Sequence, residues 1–238
     1  MIFYPLAATL ISAAFALTLG LQYRAKPRPY LLVWGVALGL YAIAALTEVV
    51  GAAGGWNSLL YRTYYYLGAI VLVGVLALGT IYLLAPRFGR PALWVLLVLA
   101  GIGLAGIVGA TLQPGLLDTR QVPSVDTIRL ERGSFNVIAL IMAAVVNSVG
   151  TIILVGGAAW SAYGTWRRHG APSRLVANIL IAAGALIVAS VSTLTRLFHA
   201  YELFYVGQAI GVLVMFAGFL AAQRAPSRAA KLNPATSR

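Results

Sequence analysis

Seven long apolar stretches, separated by short polar segments, take up most of the 238 residues. A helix of about 20 apolar residues crosses the hydrocarbon core of a bilayer, and each stretch reaches that length. The pattern therefore predicts an all-α integral membrane protein with seven transmembrane helices. Residues 1–222 form the bundle in this prediction, and 223–238 form a basic, disordered tail. The predicted helices cover about 3–22, 30–50, 58–85, 91–112, 135–166, 175–197 and 201–222.

Charged residues divide unequally between the two ends of the predicted bundle. The polar segments 23–29, 86–91, 165–174 and the tail from 223 carry twelve basic residues and no acid: Arg24, Lys26, Arg28, Arg87, Arg90, Arg167, Arg168, Arg174, Arg224, Arg228, Lys231 and Arg238. The other end carries Glu48, Asp118, Asp126, Glu131 and Glu202 with Arg62, Arg120, Arg129, Arg132 and Arg196. Because Lys and Arg accumulate in short cytoplasmic loops, we expect the N-terminus outside and the C-terminus in the cytoplasm, across a cell (inner or plasma) membrane.

Composition supports a membrane protein. The chain is 61% hydrophobic and 9% charged, with a net charge of +12, which does not fit a soluble domain. Topology alone explains the positive charge, so we expect no nucleic-acid partner. The expected partners are membrane lipids, an unknown small-molecule or lipid ligand, and a protein that binds the basic cytoplasmic loops.

Several chemistries are excluded by residues that the chain lacks. It has no cysteine, so disulfides, thiolate catalysis and iron–sulfur clusters are impossible. Its only lysines, Lys26 and Lys231, lie outside the predicted membrane core, which excludes the Schiff base of a usual retinal protein. His169 and His199 lie at opposite faces and cannot hold one haem between them. We therefore expect neither a cofactor nor a metal, and we do not expect an enzyme.

The longest polar segment is the predicted outer loop 113–135, which has either of two roles. It covers the bundle as a lid, or it is a solvated connector. A faint internal repeat also links helices 3 and 7, and it suggests a 3+1+3 arrangement of parallel repeats. Its matching residues are Tyr66, Gly68 and Gly79 in helix 3, and Tyr205, Gly207 and Gly218 in helix 7.

Four charged residues at similar depth near the outer interface suggest a ligand site. Glu48 ends helix 2, Arg62 opens helix 3, Arg196 closes helix 6 and Glu202 opens helix 7. Arginines at such a site can bind a carboxylate or phosphate. Alternatively, the four form two ion pairs, Glu48–Arg62 and Arg196–Glu202, of structural importance only. The candidate ligand-binding residues are Glu48, Tyr61, Arg62, Tyr65, Thr193, Arg196, Glu202 and Tyr205.

Polar residues within the predicted membrane core form a second group. Asn147, Ser148 and Thr151 lie near the middle of helix 5, and Gln208 lies in helix 7. An unsatisfied amide is costly in hydrocarbon, so we expect Asn147 to bond to another helix, with Gln208 as a candidate partner. A strip of small and polar residues on helix 6, from Asn178 to Arg196, either lines a path or packs against a neighbouring helix.

Two stretches of helices 2 and 3 carry a resemblance to a known family. They are Trp34 through Glu48, and Leu60-Tyr61-Arg62 followed by Tyr66-Leu67-Gly68. They resemble the seven-helix N-terminal sensor module of some prokaryotic histidine kinases, which has a Trp-bearing helix 2 with a late Glu, then a basic residue and an aromatic-x-Gly. The chain departs from that pattern, since no proline follows Gly68 and no kinase domain follows the bundle. The resemblance implies a ligand-sensing bundle that signals through a separate protein.

Three functions are compatible with these patterns. The first is a non-enzymatic, sensor-like protein that binds a ligand in a polar pocket at the outer face. The second is a small secondary transporter of a neutral or anionic solute. The third is an accessory subunit that binds lipid, carotenoid or quinone in a larger complex and docks through the glycine-rich helix 4.

Overall fold

The computed structural model is helical in almost all of the residues that it describes, which confirms the predicted all-α class. It describes residues 2–123, 125–128, 133–167, 176, 179–181, 183–184, 186–188 and 201–224, with 165, 201–205 and 222–224 described in the backbone only. Five helices in this part of the chain are long and apolar enough to cross a membrane, so the chain is a membrane protein.

Seven α-helical segments follow one another within the described part of the chain. They are α1 (Phe3–Ala25), α2 (Pro29–Gly54), α3 (Ser58–Leu84), α4 (Gly89–Gly109), α5 (Ser134–Arg167), α6 (the described residues of Ile179–Val188) and α7 (Tyr201–Arg224). The five long apolar helices are α1 to α5. Residues 168–175, all of 189–200 and residues 225–238 of the predicted tail lie outside the described residues.

Local sequence signals set the helix ends close to their predicted places. Asn57 precedes α3, and its side chain accepts a hydrogen bond of 2.8 Å from the backbone N–H of Leu60, as an N-cap does. Pro29 opens α2, where proline costs no hydrogen bond. The helix α2 continues past its predicted end at residue 50 to Gly54, and the following Gly55 has a φ of +87°. Such a backbone angle favours glycine.

The helix α3 contains a π-helical section and lies at the centre of the bundle. Its segments are Ser58–Tyr64 (α), Tyr65–Val71 (π) and Leu72–Leu84 (α). In the most apolar 18-residue stretch of α3, 50% of the residues are buried. The same share is 22% in the span Pro86–Gly109, which contains α4. The helix α4 therefore lies at the edge of the described bundle, with most of its surface facing lipid.

Glycines bring the helices close together and show their relative directions. A Cβ added at Gly106 would lie 2.8 Å from the backbone nitrogen of Ala139, and one added at Gly109 would lie 2.6 Å from the ring of Phe135. The earlier glycine of α4, Gly106, faces the later residue of α5, Ala139. The two helices are therefore antiparallel. Gly150 and Gly157 of α5 contact Val73 and Thr80 of α3 in increasing order, so α3 and α5 are parallel.

These directions place the charges of the described residues as the sequence predicted. One end of the bundle has exposed basic side chains and no acid among the described residues: Arg24, Lys26, Arg28, Arg87, Arg90 and Arg167. We call it the basic end. Asp118 and Asp126 are exposed in the long loop at the opposite end.

The long loop packs onto the bundle where it is described. Leu112 and Ile128 form an antiparallel bridge, and both side chains are buried with Leu117 in the same hydrophobic cluster as Tyr61 and Tyr65. The described part of the loop therefore packs against the end of the bundle, and its role as a lid stays a prediction.

An asparagine at the start of α5 holds the beginning of this loop. The side-chain amide of Asn136 accepts a 2.8 Å bond from the N–H of Thr111 and donates a 2.9 Å bond to its carbonyl. Asn136 is 1% exposed. It satisfies the backbone groups of Thr111, which lies just past the end of α4.

Candidate functional site

Arg62 binds the end of α4 and does not pair with Glu48. Its Nη1 donates to the carbonyls of Ile107 and Val108 (2.7 Å to the latter), and its Nη2 donates to the carbonyl of Ala110 (2.8 Å). The last carbonyls of a helix have no helical partner, and the negative end of the helix dipole favours a cation there. Arg62 thus ties the start of α3 to the end of α4, and both of its terminal nitrogens are occupied.

Glu48 belongs to a buried polar cluster between α2 and α7. The hydroxyl of Tyr41 donates to the side-chain carbonyl of Gln208, and the carboxyl group of Glu48 lies close to the same Gln208 side chain. The three side chains are between 3% and 9% exposed. We call Tyr41, Glu48 and Gln208 the α2–α7 polar cluster. It is closed to solvent, so Glu48 does not open onto the outer surface as the predicted pocket requires.

Asn147 reaches the π-helical section of α3. Its Nδ2 donates to the carbonyl of Ala69 in that section, and to the carbonyl of Ala143 one turn earlier in α5 (2.8 Å). The interhelical bond expected for Asn147 is therefore present, but its partner is a backbone carbonyl and not Gln208. Ser148 is exposed and Thr151 is half-buried.

The tyrosines predicted to contribute to the pocket lie in the hydrophobic cluster below the loop. Tyr61 is 1% exposed and Tyr65 is 6% exposed, with their ring centroids 5.9 Å apart. Trp56 packs edge-on against Tyr64, with centroids 5.5 Å apart. These rings fill the bundle end at this depth.

Four of the predicted ligand-binding residues lie outside the described side chains. Thr193 and Arg196 fall outside the described residues, as do Asn178 and the other predicted members of the polar strip on helix 6. Glu202 and Tyr205 lie in α7, in the part described by its backbone only. The predicted Arg196–Glu202 pair stays a prediction.

A cavity of about 90 Å³ lies in the half of the bundle nearer the basic end. Six of the seven helical segments contribute to its wall, and α4 does not. Representative lining residues, one from each of these helices, are Phe15, Trp34, Thr80, Ala158, Ile181 and Phe219. The sequence analysis missed this cavity, because its wall combines residues from distant parts of the chain.

The cavity wall presents an almost wholly apolar surface. The indole N–H of Trp34 donates to the carbonyl of Leu76 (3.1 Å), and the hydroxyl of Thr80 donates to the same carbonyl (3.3 Å). Both polar groups are therefore used within the wall, although Ser161 also lines it. Aromatic rings of Phe15, Trp34 and Phe219 face the space, which suits a hydrocarbon ligand.

A glycine contact positions Trp34 at this wall. A Cβ added at Gly79 would overlap Cδ1 of the Trp34 indole, so the ring lies directly on the backbone of α3. The sequence contained a signal for this contact, because Gly79 stood out in the internal repeat. That repeat did not reveal which side chain fills the space above the glycine.

Comparison of the chain with protein-family models, curated proteins and solved structures finds no match. Within the described residues, no group of three or more His, Cys, Asp or Glu side chains is placed to bind a metal ion. The function is therefore argued from the cavity and from the charges around it.

Proposed function

We propose that this protein is a non-enzymatic, sensor-like membrane protein that binds an apolar ligand in the cavity between its helices. One observation carries the proposal: six helical segments contribute side chains to the wall of a single apolar cavity. A ligand there touches almost every helix at once, so its presence can alter how the helices pack. The proposed binding site thus lies in the interior of the bundle, and not in the outer polar pocket that the sequence predicted.

The proposal includes a seven-span topology with the N-terminus outside and the C-terminus in the cytoplasm of a cell membrane. The five long apolar helices, the apolar section Val206–Ala221 of α7 and the exposed arginines and lysine of the basic end support it. A protein partner at the basic end would then receive the signal. The resemblance of helices 2 and 3 to a histidine-kinase sensor module agrees with that role.

The ligand in this proposal is recognised by shape and dispersion forces. The polar groups of Trp34 and Thr80 are used within the wall, so a ligand gains little from polar atoms at this depth. Many weak contacts between apolar atoms add up to useful affinity in a close-fitting space. A hydrocarbon or isoprenoid chain fits this requirement.

Native mass spectrometry of the gently purified full chain tests the proposal, with chemical identification of any retained small molecule. Ala158 lines the cavity, whereas its neighbour Ala159 is exposed to lipid. Ala158→Phe should fill the space and abolish retention of an apolar molecule. Ala159→Phe adds the same ring on the outer face and should leave retention unchanged.

Two results would contradict the ligand-binding function. The first is equal retention in wild type and Ala158→Phe, which would place the retained molecule elsewhere. The second is steady uptake of a solute into liposomes that Ala158→Phe blocks, which would establish the transporter.

A second candidate, the accessory subunit, is favoured by the outer face of α4. A Cβ added at Gly101 meets nothing within 4 Å, and Ala105 one turn later is exposed. Small residues in such a row allow close helix contact in membranes. If α4 docks in a larger complex, Gly101→Ile should release the partner in a pull-down from gently solubilised membranes. An unchanged pull-down would reject this docking face.

A further inference from the structure

A chain of contacts links the apolar cavity to an arginine at the basic end. The guanidinium of Arg28 donates a 3.3 Å hydrogen bond to the hydroxyl of Tyr30. The ring of Tyr30 packs edge-on against Trp34, with centroids 5.6 Å apart, and Trp34 lines the cavity. The charge of Arg28 is therefore held beside the wall of the cavity, through two aromatic side chains.

A second arginine follows the cavity wall on the neighbouring helix. Leu83 and Leu84, the last residues of α3, line the cavity, and Arg87 comes three residues after Leu84. The guanidinium carbon of Arg87 lies 4.7 Å from the ring centroid of Phe88. This stacking restrains the side chain near the end of α3.

The two arginines lie at similar depth. The indole of Trp34 contacts Leu76 and Gly79, whereas the later Ala44 faces the earlier Gly68, so the beginning of α2 runs beside the end of α3 in the opposite direction. Six residues separate Arg28 from Trp34, a rise of about 9 Å along a helix. This rise is close to the roughly 5–8 Å thickness of the polar interface on each side of a bilayer core. The arginines thus lie at headgroup depth when the cavity lies at acyl-chain depth.

We propose that the ligand is an anionic phospholipid, with part of one acyl chain in the cavity and its phosphate between Arg28 and Arg87. This inference rests on the proposed function and names the ligand of the same site. Guanidinium groups bind phosphate oxygens with paired hydrogen bonds. Arg24, Lys26 and Arg90 add positive charge at this end, where the described residues include no acid to repel the lipid. Basic pockets between transmembrane helices recognise lipid headgroups in this way.

Native mass spectrometry of the full chain from nanodiscs of equal phosphatidylglycerol and phosphatidylcholine content tests the inference. Wild type should retain phosphatidylglycerol preferentially. The R28Q/R87Q variant should lose roughly fivefold in preference per arginine, hence roughly 25-fold for the pair. R28K/R87K keeps the charges and should keep part of the preference. R120Q removes an exposed arginine from the opposite end and should change nothing.

Separate outcomes distinguish a failure of this inference from a failure of the proposed function. If R28Q/R87Q keeps its preference, or wild type retains both lipids equally, the headgroup site is wrong. The apolar site still stands in that case, provided that A158F releases the retained molecule. If A158F releases nothing, the cavity does not bind the lipid and both proposals fail. Displacement of the lipid by inorganic phosphate would show that the arginines bind the free anion without the chain, and would also overturn the inference.

Discussion

Tyr41 donates a hydrogen bond to Gln208, a residue 167 positions later in the chain. This bond joins α2 to α7. Glu48 lies close to the same Gln208 side chain, so one amide is near two residues that lie two turns apart on α2. A polar bond between distant helices specifies their register, because apolar surfaces alone allow many similar packings in lipid.

Removal of one partner of this bond should destabilise the bundle. Tyr41→Phe deletes the hydroxyl and leaves the Gln208 carbonyl short of a donor, and Gln208→Leu leaves the Tyr41 hydroxyl without its acceptor. Each change should lower the free energy of unfolding by about 1–3 kcal/mol, measured by denaturation with sodium dodecyl sulfate in mixed micelles. Tyr163→Phe, at an exposed tyrosine of α5, serves as the control.

The double variant Tyr41→Phe/Gln208→Leu separates the energy of the hydrogen bond from the effects of changing each side chain alone. We expect a coupling free energy of about 0.5–1.7 kcal/mol, the range found for interhelical bonds in membranes. Strict additivity of the two single changes would show that the two residues act independently.

Arg62 should stabilise the end of α4, and this role can be separated from ligand binding. Arg62→Gln removes the charge-assisted bonds to three carbonyls and should lower the free energy of unfolding by about 1–3 kcal/mol. Arg62→Lys keeps a cation at the helix end but cannot reach all three carbonyls, so its effect should be intermediate. Hydrogen exchange of the segment around 107–113 should accelerate in the same order.

Retention of the apolar molecule by Arg62→Gln is the matching control for that experiment. Because the bonds of Arg62 go to α4, which does not line the cavity, retention at a temperature well below unfolding should equal that of wild type. Loss of the ligand from the folded Arg62→Gln variant would instead show that Arg62 contributes to ligand binding.

Asn147 and its neighbour Ser148 in α5 provide a test substitution and its control. Asn147→Leu removes the donor to the Ala69 carbonyl in the π-helical section, so that carbonyl loses a partner in hydrocarbon. We expect a loss of about 1–2 kcal/mol in the free energy of unfolding and faster hydrogen exchange within 65–75. Ser148 is exposed, so Ser148→Leu should be neutral or stabilising. Equal effects at the two positions would argue against a specific role for the Asn147 bond.

Gly79 and Gly101 differ in what surrounds them. Gly79→Ala forces the Trp34 indole away from α3, since the new Cβ would overlap it. We expect a loss of about 1–3 kcal/mol in the free energy of unfolding and weaker retention of the apolar molecule, because Trp34 lines the cavity. Gly101→Ala meets open space and should stabilise the protein by up to about 1 kcal/mol. Thermal unfolding and native mass spectrometry on both variants provide the comparison.

Part of the candidate site could be predicted from the spacing of residues within one helix. Trp34, Tyr41 and Glu48 are seven residues apart, which places them on one face of α2, and the structure directs Tyr41 and Glu48 towards the same partner on α7. The helix that supplies that partner could not be inferred in this way. Gln208 and Arg62 both lay within plausible reach of Glu48, because both lie on neighbouring helices.

The sequence by itself determined the helical class, five long apolar helices with nearly correct ends, and the concentration of basic residues at one end of the bundle. These properties depend on local features: the length of an apolar run, an Asn or Pro at a helix start, and the charge of short loops. The tertiary structure decided that Arg62 binds α4, that Asn147 reaches a π-helical carbonyl, and that Phe15, Trp34 and Phe219 enclose a cavity. Those outcomes depend on how each helix is rotated about its axis. That rotation is set by glycine contacts between helices, such as Gly79 with Trp34 and Gly106 with Ala139.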